Sequence, residues 1–182
     1  LFFIPAGIAQ PVINSVTANN NTIAKLNKLE LITSITATYI NPYDYDEIAV
    51  QCIFTAPSGR RDTVDGFFMQ DYILSNGNLT ATGTGNFKVR YAPNETGSWM
   101  YDLICTNSNG TGSYPTQNFE CTASDEAGFI RKNGTNYLSF DDGTQYIPVG
   151  ENVGWQSSNV VNDYTAWVGN LTANGANFIR VW

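Results

Sequence analysis

Two apolar segments near the C-terminus, separated by one helical pattern, constrain the fold of this 182-residue chain most strongly. They span residues 146–150 and 177–182, and both are apolar almost throughout instead of alternating with polar residues. Unbroken apolar character is typical of parallel strands that are buried on both faces. We therefore predict two parallel strands. Because Arg180 lies inside the second one, we expect its guanidinium to be buried and to have a partner.

The segment between these strands carries the helical pattern. Large apolar and aromatic side chains recur at i, i+3, i+4 and i+7, with Asn162 or Asp163 available as N-cap and Gly175 as the stop. A strand, a helix and a second strand in this order predict a right-handed parallel crossover, which is the repeating element of doubly wound sheets and (β/α)8 barrels. One such unit cannot bury both faces of its strands by itself. The apolar and aromatic residues that form the stripe along the helix are Tyr164, Trp167, Val168 and Leu171.

The region from about Gln10 to Ser124 alternates with period two and is punctuated by turn residues, including Asn76-Gly77 and Asn109-Gly110. Lys88 and Arg90 are predicted to face outward between the inward residues of one strand. The pattern predicts a mainly β chain, with an Ig-like antiparallel β-sandwich of about seven or eight strands. The truncated first β/α/β unit of a barrel is expected to follow it.

A connecting segment lies between these two parts. Asn133-Gly134 between two apolar runs predicts a hairpin, and Asp141-Asp142-Gly143 predicts a further turn. We expect this hairpin to cap the barrel floor and tie it to the sandwich, or else to form one more edge of the sandwich. The predicted domains are a signal peptide remnant at 1–9, the sandwich at 10–125, and the hairpin with the incomplete barrel at 126–182.

The odd number of cysteines allows at most one internal disulfide. Cys52, Cys105 and Cys121 each alternate with apolar residues, so we expect all three thiols to point into the core. Buried free thiols are the favoured interpretation, and a bridge between Cys105 and Cys121 is the alternative. The chain has no histidine, so a Cys-His or Ser-His-Asp nucleophile or a histidine-ligated zinc site cannot be built from it.

Charge and the N-terminal pattern bear on partners and location. A net charge of -7 and a pI near 4.3, without a run of Lys or Arg, argue against binding to nucleic acid or anionic membranes.

Residues 1–9 resemble the end of a secretory signal peptide, and a buried first strand is the alternative. We expect an exported protein without a transmembrane segment. The acidic loops at 44–47 and 62–71 lack calcium-loop spacing, so we predict neither metal nor cofactor.

Several short motifs, in order, resemble one family. They look like the β-sandwich that precedes the barrel in bacterial glycoside hydrolases of the DUF5060 type, and the segments after Phe140 are similar to the first β/α/β unit of clan A (β/α)8 glycosidase barrels. The motifs are Lys28-Leu29-Glu30-Leu31, Asn41-Pro42-Tyr43, Phe54-x-x-Pro57-x-Gly59, Val64-x-Gly66-Phe67-Phe68, Phe87-Lys88-Val89-Arg90-Tyr91-x-Pro93, Gly97-x-Trp99-x-Tyr101, Ser124-x-x-x-Gly128-Phe129-Ile130-Arg131, Tyr146-x-Pro148-Val149-Gly150-Glu151-Asn152 and Gly175-x-Asn177-Phe178-Ile179-Arg180-Val181-Trp182.

The resemblance implies a function for a longer parent chain. In clan A barrels the acid/base carboxylate and the nucleophilic Glu come from the fourth and seventh strands, and the resemblance places the end of this chain at the second. A retaining mechanism needs both carboxylates. We therefore expect this chain alone to be inactive, and its parent to hydrolyse O-glycosidic bonds of a polysaccharide.

The same resemblance suggests site residues. Arg180 corresponds to the Arg that orients and ionises the nucleophile in such barrels, and an ion pair with Glu151 is the alternative role. Glu151, Asn152, Trp155 and Trp182 are predicted to contact substrate, the two tryptophans by stacking on a sugar ring or by packing inside the barrel.

A rival from another functional class is a noncatalytic carbohydrate-binding or adhesive sandwich. In that protein, exposed aromatic side chains would form a sugar platform. The aromatic residues available for it are Tyr72, Trp99, Tyr101 and Tyr114.

Overall fold

The computed structural model describes residues 9–75, 78–134, 136–158 and 160–182, which form fourteen strands and one helix. The elements are β1 Val12–Ala18, β2 Thr22–Ala24, β3 Leu29–Thr36, β4 Ile48–Thr55, β5 Arg61–Asp65, β6 Phe67–Ser75, β7 Asn78–Tyr91, β8 Gly97–Asn107, β9 Gly110–Thr122, β10 Arg131–Asn133, β11 Tyr137–Ser139, β12 Gln145–Tyr146, β13 Gly150–Val153, α1 Val160–Ala173 and β14 Phe178–Val181. The mainly β prediction is confirmed.

The chain divides into two compact units. The first contains the described residues up to Asp71 together with Thr82–Glu126, and the second contains Tyr72–Ala81 and Ala127–Trp182. The domain boundaries predicted from the sequence stay predictions.

The first unit is built around two sheets that share one hydrophobic core. One sheet has the order β1-β3-β7-β6 and the other β2-β9-β8-β4-β5. The pair β2–β9 is parallel, and the pairs β1–β3, β3–β7, β4–β5, β4–β8 and β8–β9 are antiparallel. The Phe54 ring of the five-stranded sheet stacks on Tyr91 of the four-stranded sheet, with 4.1 Å between centroids. Trp99, which is fully buried, contacts the same Tyr91 ring at 5.4 Å. The two sheets therefore face each other across the core, as a sandwich requires.

Period-two alternation governs this core. In β4, Ile48, Val50, Cys52 and Phe54 are buried while the residues between them are only partly buried. The predicted inward faces of β8 and β9 are confirmed in the same way: the buried residues are Trp99, Tyr101, Leu103, Cys105, Phe119 and Cys121.

Lys88 faces away from the core as predicted, yet it is buried. Its side chain lies on the face of β7 opposite Phe87 and Val89, as alternation requires, but it is 4% exposed and not at the surface. The ammonium group donates to both carboxylate oxygens of Asp71 at 3.0 and 3.1 Å. Glu30 lies 4.0 Å away. The predicted direction of the lysine therefore holds, but its burial was not predicted, because strand periodicity gives the direction of a side chain whereas burial depends on what covers that face.

The three cysteines are free and buried, which confirms the favoured interpretation. In the β8–β9 pairing, Cys105 lies opposite Gly112 and Cys121 lies opposite Gly97. The two thiols are thus at opposite ends of the hairpin, about 26 Å apart along the strands. A disulfide needs Cα atoms within about 7 Å, so the alternative of a Cys105–Cys121 bridge was wrong.

The second unit contains the predicted hairpin and the β/α/β element. β10, β11 and β12 form an antiparallel three-stranded sheet around Gly134 and the 141–143 turn. The Asp141 carboxylate accepts hydrogen bonds from the Phe129 backbone N–H and from Arg131, and these bonds lower its pKa, with the Phe129 bond contributing most. Whether the hairpin caps a barrel floor stays a prediction, and the predicted turn at 76–77 lies outside the described residues.

The predicted parallel crossover is present, with shifted bounds. β13 and β14 pair in parallel and α1 connects them. The first strand, however, begins at Gly150, whereas Tyr146 ends β12 in the preceding sheet. The prediction of one strand over 146–150 was therefore wrong: the apolar run continues through Pro148, which has no N–H to give to a ladder.

The helix follows its apolar stripe only in part. Tyr164, Trp167 and Leu171 are partly buried, while Val168 is on the exposed side. Asn162 and Asp163 lie inside α1, so the N-cap prediction was wrong. The predicted stop is confirmed, because the N–H groups of Gly175 and Ala176 close the Schellman pattern on the carbonyls of Thr172 and Leu171, each at 3.0 Å.

Candidate functional site

The carboxyl ends of β13 and β14 carry the predicted site residues. The strands pair with Gly150 opposite Phe178, Glu151 opposite Ile179, Asn152 opposite Arg180 and Val153 opposite Val181. The backbone N–H of Trp182 donates to the Val153 carbonyl at 3.1 Å and extends the pairing to the chain end. Residues opposite each other in a parallel pair share a face, so this register decides which predicted residues can act together.

Asn177 holds the other end of the strand pair. Its side-chain amide donates to the Ile147 carbonyl at 3.0 Å and its side-chain oxygen accepts from the Val149 N–H at 2.8 Å. Tyr146 adds a hydrogen bond from its hydroxyl to the Asn177 carbonyl at 2.8 Å. Sequence reasoning did not assign this role to Asn177, because its partners lie about thirty residues away and only the strand pairing brings them near.

Close packing at the start of β13 requires a glycine. A Cβ placed on Gly150 would lie 1.6 Å from the carbonyl oxygen of Phe178. Any side chain at this position would therefore force the two strands apart and change the register that places Asn152 beside Arg180.

Arg180 and Asn152 share one face of this strand pair. Both side chains are exposed, and the Arg180 guanidinium lies over the Trp182 ring, 4.1 Å from its centroid. The prediction that Arg180 is buried was wrong for this chain, because two strands and one helix cover only one face. The Arg180 guanidinium beside the Asn152 side-chain amide can bind a carboxylate by charge-assisted hydrogen bonds. The Trp182 ring supports the guanidinium from one side.

Glu151 lies on the opposite face. Together with Asn152, Val153 and Gly154 it lines a cavity of about 350 Å³ whose other wall is formed by Trp167, Asn170 and Leu171 of α1. Val153 is buried there, so this face is the one the helix covers. Strand alternation thus separates Glu151 from Arg180, and no ion pair joins them among the described residues. The structure brings Arg180, Asn152 and Trp182 together but leaves Glu151 apart from them.

Trp155 follows β13 in an uncommon conformation. It is 94% exposed and has a φ of 60°, a left-handed value that a bulky side chain seldom adopts. Backbone strain and a bare indole in the same residue are features found at binding sites. In the neighbouring loop, the Ser157 N–H donates to the Asp163 carboxylate at 2.6 Å, which connects the loop to the first turns of α1.

The aromatic platform of the rival interpretation is mostly unavailable. Trp99 is 0% exposed and Tyr101 is 4% exposed. Burial raises the pKa of the Tyr101 hydroxyl to about 12, as expected for a phenol away from water. Tyr72 is exposed and Tyr114 is partly buried, so a platform made of all four residues does not exist.

Acidic loops in the first unit have structural partners. The Glu47 carboxylate accepts the N–H groups of Ile40 and Asn41, and Asp65 accepts hydrogen bonds from Tyr45 and Gln51. The Gln51 and Tyr45 bonds lower the pKa of Asp65. Within the described ranges, no three or more metal-binding side chains come together. No helix in that part of the chain has the length and apolar character needed to cross a bilayer.

Known proteins resemble this chain in two ways. Residues 22–106, which run from β2 into β8, match the family described as Domain of unknown function (DUF5060). None of the curated proteins matches the sequence.

The fold has a counterpart among solved structures. A crystal structure of a putative glycoside hydrolase from Bacteroides vulgatus superposes with a TM-score of 0.65 at 21% sequence identity. The similarity covers 89% of this chain and 28% of that one, so this chain spans less than a third of its length. The chain thus combines a DUF5060 match at residues 22–106 with a fold similar to part of that protein.

Proposed function

We propose that this chain is the N-terminal part of an exported bacterial glycoside hydrolase that cleaves a polysaccharide with retention of configuration. The first unit is an Ig-like β-sandwich, and β13, α1 and β14 are the start of a (β/α)8 barrel. The observation that carries the proposal is the parallel β13–β14 pair, which follows a two-sheet unit. The similarity to a much longer protein described as a glycoside hydrolase supports it.

Arg180 has a supporting role in this proposal. Its guanidinium extends from the β14 face that it shares with Asn152, near the carboxyl end where barrel enzymes keep their sites. There it orients the nucleophilic carboxylate and keeps it ionised, while Asn152, Trp155 and Trp182 contact the sugar. The acid/base and the nucleophile come from later strands of the parent chain. Glu151 faces the α1 side here, so its contribution to substrate binding is indirect.

The gene beyond the codon for Trp182 gives the first test. We expect six further β/α units, with one Glu at the end of the fourth strand and one at the end of the seventh. The parent enzyme should release reducing sugar from a polysaccharide, and proton NMR of the first product should show the anomeric configuration of the substrate. An early stop codon, or an inverted product, would contradict the proposal.

The second test is Arg180→Lys in the parent enzyme. Lysine keeps the positive charge but loses the two parallel N–H groups with which arginine binds a carboxylate. A charge-assisted hydrogen bond is worth about 1.5–3 kcal/mol, so kcat should fall by about 10- to 150-fold while KM changes much less. Arg61→Lys, at an exposed position of β5, is the matched control and should leave both constants unchanged. An unchanged kcat for Arg180→Lys would leave that residue only a structural role.

A further inference from the structure

The first unit carries an open pocket of about 250 Å³ between β3, β6, β7 and the chain that follows β3. Aromatic side chains form one wall: Phe68 meets the Phe87 ring edge-on at 5.3 Å, and Tyr39 meets the same ring at 5.9 Å. Tyr43, at 5.3 Å from Phe68, extends the row to an exposed position. Each ring is held by the next, so the wall is fixed before any ligand arrives.

Gly85 makes room for this wall. A Cβ at that position would lie 2.4 Å from the ζ carbon of Phe68, and the backbone there has a φ of 75°. Only glycine allows the ring to lie so close to β7. The concave shape of the pocket is therefore built into the sequence.

The rest of the lining is uncharged and mostly polar: it includes the apolar Ile35 and also Thr33, whose hydroxyl donates to the Phe87 carbonyl at 3.0 Å. Ser34, Thr84 and Asn86 line the pocket together with Tyr39. The side chains of these four residues make no hydrogen bond to any other described residue of the chain. Residues with hydroxyl and amide groups thus line the pocket beside the aromatic rings, and no Asp, Glu, Lys or Arg lines it.

We propose that this pocket binds one neutral sugar residue of a glycan. A pyranose presents apolar C–H faces that suit an aromatic wall and hydroxyls that suit neutral donors and acceptors. The volume lies just below the range of about 300–1,000 Å³ typical of ligand pockets, which favours a single ring over a longer oligosaccharide. The net charge of -7 disfavours an anionic ligand. The proposal rests on the proposed function only for the choice of a glycan.

Affinity electrophoresis of the 182-residue chain tests the pocket. The gels contain β-glucan, xylan, galactomannan or pullulan as neutral glycans, and polygalacturonate as the anionic one. We expect at least one neutral glycan to retard the chain and polygalacturonate not to do so. Retardation by none of the four neutral glycans, or by polygalacturonate alone, would overturn the proposal.

Variants connect the retardation to the pocket. Thr84→Ala and Asn86→Ala each remove hydrogen-bonding groups and should weaken binding about three- to tenfold, and Ser34→Trp should abolish it by filling the opening. Thr63→Ala is the matched control, since Thr63 is an exposed threonine on β5 whose side chain has no hydrogen bond within the described residues. Far-UV circular dichroism establishes that each variant folds. Binding that survives all three pocket variants would refute the assignment.

A hydrolysis assay of the parent enzyme tests the hydrolase proposal independently of the pocket proposal. Hydrolysis of short soluble oligosaccharides by the parent enzyme is measured beside retardation of the 182-residue chain, and the control Thr63→Ala should leave both unchanged. Hydrolysis by the parent enzyme without retardation of the chain would refute only the proposal that the pocket binds sugar. Retardation without hydrolysis would refute only the proposal that the parent chain is a glycoside hydrolase.

Discussion

The buried lysine of β7 gives the sharpest test of how this fold is stabilised. Lys88 has a side chain that is only 5% exposed, and its nearest partner is the Asp71 carboxylate, which is 49% exposed. Glu30, 14% exposed, is 4.0 Å away and is also held by Arg90 at 2.6 Å. The two ends of the Lys88–Asp71 pair therefore differ in their access to water. Removing one end should not have the same effect as removing the other.

The magnitudes follow from this asymmetry. Breaking a fully buried pair by removing one partner costs about 3–5 kcal/mol. Asp71→Asn leaves the buried ammonium with Glu30 at 4.0 Å, so we expect a smaller loss of about 1–2 kcal/mol in the free energy of unfolding. Lys88→Met replaces the ammonium by an apolar chain of similar shape and lets the half-exposed Asp71 turn to water. We expect this change to stay within about 1 kcal/mol of the natural chain.

Urea unfolding at neutral pH measures both effects. Trp99 is fully buried in the first unit, whereas Trp155 and Trp182 of the second unit are exposed and Trp167 is partly buried. In a Trp167→Phe background, a red shift of the buried indole therefore reports on the first unit. Asp125→Asn is the matched control, because Asp125 is exposed and has no ion pair within the described residues. The reasoning is refuted if Lys88→Met destabilises the first unit as much as Asp71→Asn, since desolvation would then not determine the balance.

Two further outcomes concern groups with shifted pKa values. Burial raises the pKa of Cys105 to about 11 and also raises that of Cys52, so Ellman's reagent at pH 8 should find no reactive thiol in the folded chain and three in guanidinium; a single thiol after unfolding would reveal a disulfide. The hydrogen bond from Arg90 lowers the pKa of Glu30 below its ordinary value of 4.5, so the stabilisation it gives is complete above that value and is lost as pH falls through the lower folded value. The urea midpoint should thus drop on acidification from pH 5 to about pH 3, and less so in Glu30→Gln; equal slopes for the two proteins would contradict this.

Alternation along the strands explains what the sequence could predict. In β4 and β8 the inward residues are apolar except for Asn107, and they occupy every second position, so one strand period places them without reference to any other part of the chain. The same holds for the parallel crossover, where a helix between two apolar segments leaves only one common arrangement. The pocket in the first unit escaped notice because its polar and aromatic residues come from three separate stretches of sequence.

Burial and strand ends depend on partners far along the chain, and these were mispredicted. The burial of Lys88 was not predicted, because nothing in its local sequence indicates contact with Asp71, seventeen residues earlier, or with Glu30 on a neighbouring strand. The first strand of the crossover was placed four residues early because its true start is set by Asn177 and by the close approach of Gly150 to Phe178. A local pattern holds no information about either contact.

The shifted start of β13 determines which of the predicted site residues share one face of the strand pair. Had the strand ended at Gly150, Glu151 and Asn152 would both lie in a loop and could both turn toward Arg180. Because Glu151 and Asn152 are instead consecutive residues within β13, their side chains point to opposite faces. The face with Asn152 also carries Arg180 and Trp182, and the other face meets α1. The Arg180 face of the described strand pair therefore presents an amide, a guanidinium and an indole, and the carboxylate of Glu151 lies on the other face.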